Sequence, residues 1–113
     1  MSEDALQKII GEWVSDPRDR NCLRAFDNVS MEFMKDGQLI YTIHEPGKDQ
    51  IMLLTYRIEN GIIVSDQPSS PRGERTPFHF ASGGRLVLMT DKGPMTCIRK
   101  QPSLLDRLLQ LGR

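Results

Sequence analysis

Short runs of alternating apolar and polar residues, cut at near-regular intervals by Asp36-Gly37, Asn60-Gly61, Gly83-Gly84 and Asp91-Lys92-Gly93, leave this chain few folds to choose from. A period of two sends alternate side chains to opposite faces of a strand, and Asn-Gly or Asp-Gly supplies the positive φ angles of a tight hairpin. The pattern predicts strands over 12–15, 29–33, 38–44, 50–59, 62–64, 75–81, 85–90 and 95–100. Pro77, which cannot donate to a ladder, argues for an edge, a bulge or a strand end where it stands. Strands joined in simple sequence predict an all-β protein, an up-and-down antiparallel meander of about eight strands closed into a small barrel. At 113 residues the chain is expected to be one domain, 1–113, with the barrel over 11–100.

The flanks differ in character. Ser2, Glu3 and Asp4 start a helical turn that places Leu6, Ile9 and Ile10 on one face, so residues 1–10 are expected to form a helix plugging one barrel end. Residues 17–28 lack the period of two and carry Leu23 and Phe26 among arginines, which suits a helical or irregular flap with one apolar side. After Pro102 comes an amphipathic pattern over 103–111, with Ser103 and Asp106 spaced as a capping box and Leu104, Leu105, Leu108, Leu109 and Leu111 in one arc. Residues 51–54 and 86–89 are apolar on both faces, so the outer side of the barrel there is expected to be covered by this leucine helix or by a second copy of the chain.

Composition removes several function classes. Lysine plus arginine and aspartate plus glutamate both number 15, which leaves no overall field to attract nucleic acid or an anionic membrane. The acidic start lacks the features of a secretory signal, no apolar run approaches the ~20 residues of a membrane span, and a cytoplasmic protein is expected. Cys22 and Cys97 stand alone without a CxxC pairing or a histidine cluster, so reduced thiols are expected and neither a metal nor a cofactor. His44 and His79 alternate outward. No nucleophile elbow, phosphate loop, HExxH or paired carboxylate spacing is present, so nothing in the chain nominates an enzyme.

The inward set read from the alternation is bulky: Trp13, Met31, Phe33, Leu39, Tyr41, Ile43, Met52, Leu54, Tyr56, Ile58, Ile63, Phe78, Phe80, Leu86, Leu88 and Ile98. An eight-stranded barrel has room either to be filled by such side chains or to hold one small ligand. Tyr41 and Tyr56 are the candidates for orienting a polar ligand end, Phe33, Phe78 and Phe80 for its apolar wall, and Arg57, Arg72 and Arg75 for the border of the opening.

Leu6 to Ile10 followed by Gly11-x-Trp13, with Arg99 in the last strand, resembles the opening helix, Gly-x-Trp signature and closing basic residue of the lipocalin-like, or calycin, barrels, in particular their small bacterial domains of undefined role. The resemblance implies that Trp13 and Arg99 close the plugged end by a cation–π contact. It also implies an apolar ligand in the barrel mouth, with residues 17–28 as a lid. Two functions follow as expectations. One is non-catalytic binding of a small hydrophobic or amphipathic molecule in the interior. The other is a protein-interaction module with a solid core, either a homodimer or an inhibitor or immunity-type binder. Its contact surface would be Leu104, Leu105, Leu108 and Leu109 with Met34, Ile40, Ile51, Leu53, Val87 and Met89.

Overall fold

The computed structural model describes residues 2–26, 28–68 and 73–100; Arg72 and the leucine-rich segment 103–111 lie outside them. Helix α1 (Ser2–Ile9) leads into β1 (Gly11–Ser15), and helix α2 (Arg20–Phe26) separates β1 from β2 (Asn28–Phe33). The remaining strands follow without interruption by a helix longer than one turn: β3 (Gln38–Glu45), β4 (Lys48–Glu59), β5 (Ile62–Asp66), β6 (Glu74–Ala81), β7 (Arg85–Thr90) and β8 (Gly93–Arg99). Each strand pairs antiparallel with the next in sequence, and β8 returns to pair with β1, so the described sheet is a closed up-and-down barrel. Closure leaves no edge strand in that sheet to template association with other chains.

The turns show which sequence signals acted as expected. Asn60-Gly61 adopts left-handed φ at both positions, 48° and 76°, the geometry of a two-residue hairpin whose twist matches its strands. At Asp36-Gly37 only the glycine does so, φ 89°, and the loop is held one residue wider by Gly37 N–H donating to the Met34 carbonyl. Pro77 sits opposite Ile62 at the last β5–β6 pair, and pairing with β7 begins one residue later at Phe78. Its missing N–H thus falls where β6 passes from one neighbour to the other.

Register fixes the interior. Met31 lies opposite Tyr41 and Tyr41 opposite Met52, while Phe33, Leu39 and Leu54 form the next inward row. In β8 the inward residues are Met95, Cys97 and Arg99, opposite Leu88, Leu86 and Trp13 in turn. Ile98, expected inside, instead pairs with Val14 on the outer side, because the inward column of this strand contains a thiol and a guanidinium that disguise its phase.

One end of the barrel is packed solid. Trp13, 1% exposed, donates from Nε1 to the Ile9 carbonyl at 2.8 Å, which anchors α1 across the floor. The Arg99 guanidinium lies 4.4 Å from the centre of the Trp13 ring and donates to the carbonyls of Ile10 (2.8 Å) and Lys8, groups left without helical partners at the end of α1. Gly11 is required beside it. A Cβ there would stand 2.6 Å from Arg99 Nη1, and the residue's φ of +123° is one that L side chains rarely adopt. Phe80 packs on Trp13 at 6.1 Å and edge-on to Phe78 at 5.8 Å, and Phe33 meets Tyr56 edge-on at 5.0 Å.

Both cysteines are free and buried. Removal from water pushes the Cys97 thiol up to about 12, and burial raises Cys22 as well. Because the thiolate is the reactive form, the folded protein at about pH 8 is expected to resist an aromatic disulfide reagent over minutes. Denaturant should release both thiols of the chain together. Rapid labelling of either one in the absence of denaturant would contradict this burial.

Candidate functional site

Above the aromatic floor the barrel is hollow. The cavity has a volume of about 480 Å³, within the range of small-molecule pockets, and opens toward the end that carries the β3–β4 and β7–β8 turns and the loop after β5. Its walls are Met31 and Phe33 of β2, with inward residues of β3, β4 and β5 nearer the mouth than Tyr56, together with Leu88 and Met95, and Phe26 of α2 reaches in from above. Three of the wall residues, Met31, Met52 and Met95, are methionines, whose unbranched side chains adapt to the shape of what they enclose.

The rim is polar because the inward columns run out of apolar residues as they reach the mouth. Ser65 continues the column of Ile63, Thr76 and Glu74 continue that of Phe78, and Thr90 continues that of Leu88. The same strands thus supply an apolar wall and, two residues on, a hydrogen-bonding lip. Thr90 is already committed, donating to the Gly93 carbonyl at 2.8 Å and accepting from Lys92 N–H at 3.1 Å, which braces the β7–β8 turn.

Helix α2 is tied to the barrel near its N-terminal end. The Asp19 carboxylate accepts from Cys22 N–H at 3.0 Å as a helix cap, and Cys22 Sγ lies 3.9 Å from the Thr96 carbonyl of β8. Asp16 is covered by Arg18, which donates to Oδ1 at 3.1 Å; that bond holds the Asp16 carboxyl below its ordinary value. The segment expected as a flap is therefore a pinned helix whose Cys22 and Phe26, one turn apart, join the core.

Of the residues expected to bind a ligand, Phe33 and Tyr41 line the cavity. Tyr56 does not. It points toward the closed end, 6% exposed, and its hydroxyl donates to the Met34 carbonyl at 2.7 Å. Phe78 and Phe80 belong to the packed floor. Arg57 and Arg75 are not at the opening but on the outer wall, where both engage Glu59, the second at 3.6 Å. Their alternation with Tyr56 and Thr76 sends them outside. Met52, already in the inward set, lines the cavity as well; Met95 was missed because the phase of β8 was misread, and Thr76 and Glu74 were recoverable by extending the inward column of Phe78 past its last apolar member.

The outer wall carries one arrangement with chemical form. Ser30 Oγ lies 2.6 Å from His44 Nε2, and His44 Nδ1 lies 3.1 Å from Asp49 Oδ1. This is the order of nucleophile, base and orienting carboxylate, but Ser30 sits mid-strand between Val14 and Thr42, with its backbone in the ladders of β1 and β3. The trio forms a hydrogen-bonded chain across β2, β3 and β4. On the same wall Ile51 and Leu53 are 63% and 65% exposed, so the expected cover over β4 is absent among the described residues, whereas Val87 is buried.

Among the described residues no group of three or more histidine, cysteine or acidic side chains is arranged to hold a metal ion, and no helix is long and apolar enough to cross a membrane. Comparison with protein-family models, with curated proteins and with solved structures finds no match to this chain.

Proposed function

We propose that the protein is a lipocalin-like, non-catalytic carrier or sensor that holds a small hydrophobic or amphipathic molecule in the hollow half of its barrel. The observation that carries this reading is the division of the interior into a packed floor and a hollow of about 480 Å³ walled by Met31, Tyr41, Met52, Leu88 and Met95. A packing role alone asks for no hollow, since protein interiors fill to crystal-like density. At ~30 Å³ per water the space takes roughly 16 waters, comparable to a ligand of similar heavy-atom count. Removing an apolar body of that size from water supplies the driving force, and the polar rim tolerates one solvated end.

The test is titration with N-phenyl-1-naphthylamine, an apolar fluorophore of matching size, alongside native mass spectrometry. Saturable emission enhancement is expected at one probe per chain, with affinity of about 5–8 kcal/mol, or Kd between ~1 and ~200 µM. Absence of saturable binding would remove the reading. A second reading, an interaction module, is favoured by the exposure of Ile51 and Leu53 beside Ile40 on the outer wall. It would be preferred if the probe stayed unbound while the chain ran as a dimer in light scattering.

A further inference from the structure

The charges at the mouth go further and name the class of ligand, an inference that rests on the cavity being a binding site. Several acidic side chains that do not line the cavity have cationic or histidine partners, Asp16 with Arg18, Asp49 with His44, Glu59 with Arg57 and Arg75, and Glu12 with Lys100, whereas Glu32 on the outer face of β2 is in no ion pair among the described residues. The mouth gathers acids. Asp66, Glu74 and Asp91 line it against a single described cation, Lys92, and among the described residues neither Glu74 nor Asp91 is in an ion pair. Glu74 stands opposite Ser65 in the inward column directly above Thr76, so its carboxylate belongs to the lip of the hollow itself.

We propose that the ligand is a cationic amphiphile, an apolar body carrying a protonated amine, and that the lip selects against carboxylate amphiphiles. The hollow holds the apolar body, and Glu74 with Asp91 selects its polar end. An alkyl carboxylate is ionised near neutral pH and an alkylamine protonated, so the two differ at the lip by two unit charges. One exposed charge pair is worth up to about fivefold in affinity, and attraction on one side with repulsion on the other gives roughly tenfold between the end members.

Displacement of N-phenyl-1-naphthylamine by dodecylamine, dodecanol and dodecanoate, all below micelle-forming concentrations, measures this directly. The amine is expected to bind about tenfold tighter than the carboxylate at low salt, with the alcohol between them, and the gap should narrow as salt screens the lip. In the double variant Glu74→Gln, Asp91→Asn the amine and the carboxylate should converge to within about twofold of each other while the alcohol is unchanged. Carboxylate binding equal to or tighter than the amine in the wild type, or a gap that survives the double variant, overturns the proposal and leaves the carrier reading standing. Failure of the fluorophore and of all three competitors to bind would take both down.

Discussion

Trp13→Ala is expected to lower the free energy of unfolding by about 3–5 kcal/mol, the range for emptying a fully buried large aromatic site. Three losses coincide. The indole vacates the floor against Phe80, the Ile9 carbonyl loses its 2.8 Å donor, and Arg99 loses the face it covers, so α1 keeps only the Arg99 hydrogen bonds to hold its end. Against a total of roughly 5–15 kcal/mol for a domain of this kind, such a loss brings the chain near its unfolding threshold. Trp13→Phe separates the contributions: it keeps an aromatic ring under Arg99 and removes the N–H, so the cost should fall to about 1–3 kcal/mol. Urea unfolding must be followed by circular dichroism, because Trp13 is the chain's one tryptophan and its removal abolishes the usual fluorescence signal. A loss below about 1 kcal/mol for the alanine variant would mean that the floor does not depend on the indole.

The barrel could be read from the chain because its determinants are local. Alternation, the Asn60-Gly61 hairpin and the spacing of the turns specify a meander without reference to anything distant, and a meander of eight strands has closure as its simplest way to pair both edges. The contact of Trp13 with Arg99 is distant in sequence, and resemblance supplied it. What alternation could not give is depth. Tyr41 and Tyr56 have the same inward phase, yet one lines the hollow and the other the closed end, because position along a tilted strand decides which half of the barrel a residue enters. Phase itself was lost where the inward column is chemically mixed, as in Met95, Cys97 and Arg99 of β8. Packing against empty space is likewise not encoded in residue type: the side chains around the hollow are as apolar as those of the floor.

That difference between phase and depth yields the sharpest mutational test of the cavity. Met52 faces inward beside Tyr41, and Leu53, its neighbour on β4, faces outward opposite Ile40 and is 65% exposed. Met52→Trp places an indole in the hollow, where it meets space in place of packed atoms, so it should escape most of the ~1–3 kcal/mol cost of overpacking a filled core. Affinity for N-phenyl-1-naphthylamine should nevertheless drop by tenfold or more, about 1.4 kcal/mol at least, because the probe and the indole compete for one volume. Leu53→Trp, the same change one residue along the strand, should leave the affinity unaltered. If both variants weakened the probe equally, the outer patch of Ile40, Ile51 and Leu53 would be the probe's true site. If neither did, the hollow would not be where the probe binds, since a two-residue period permits only one of these neighbours to reach it.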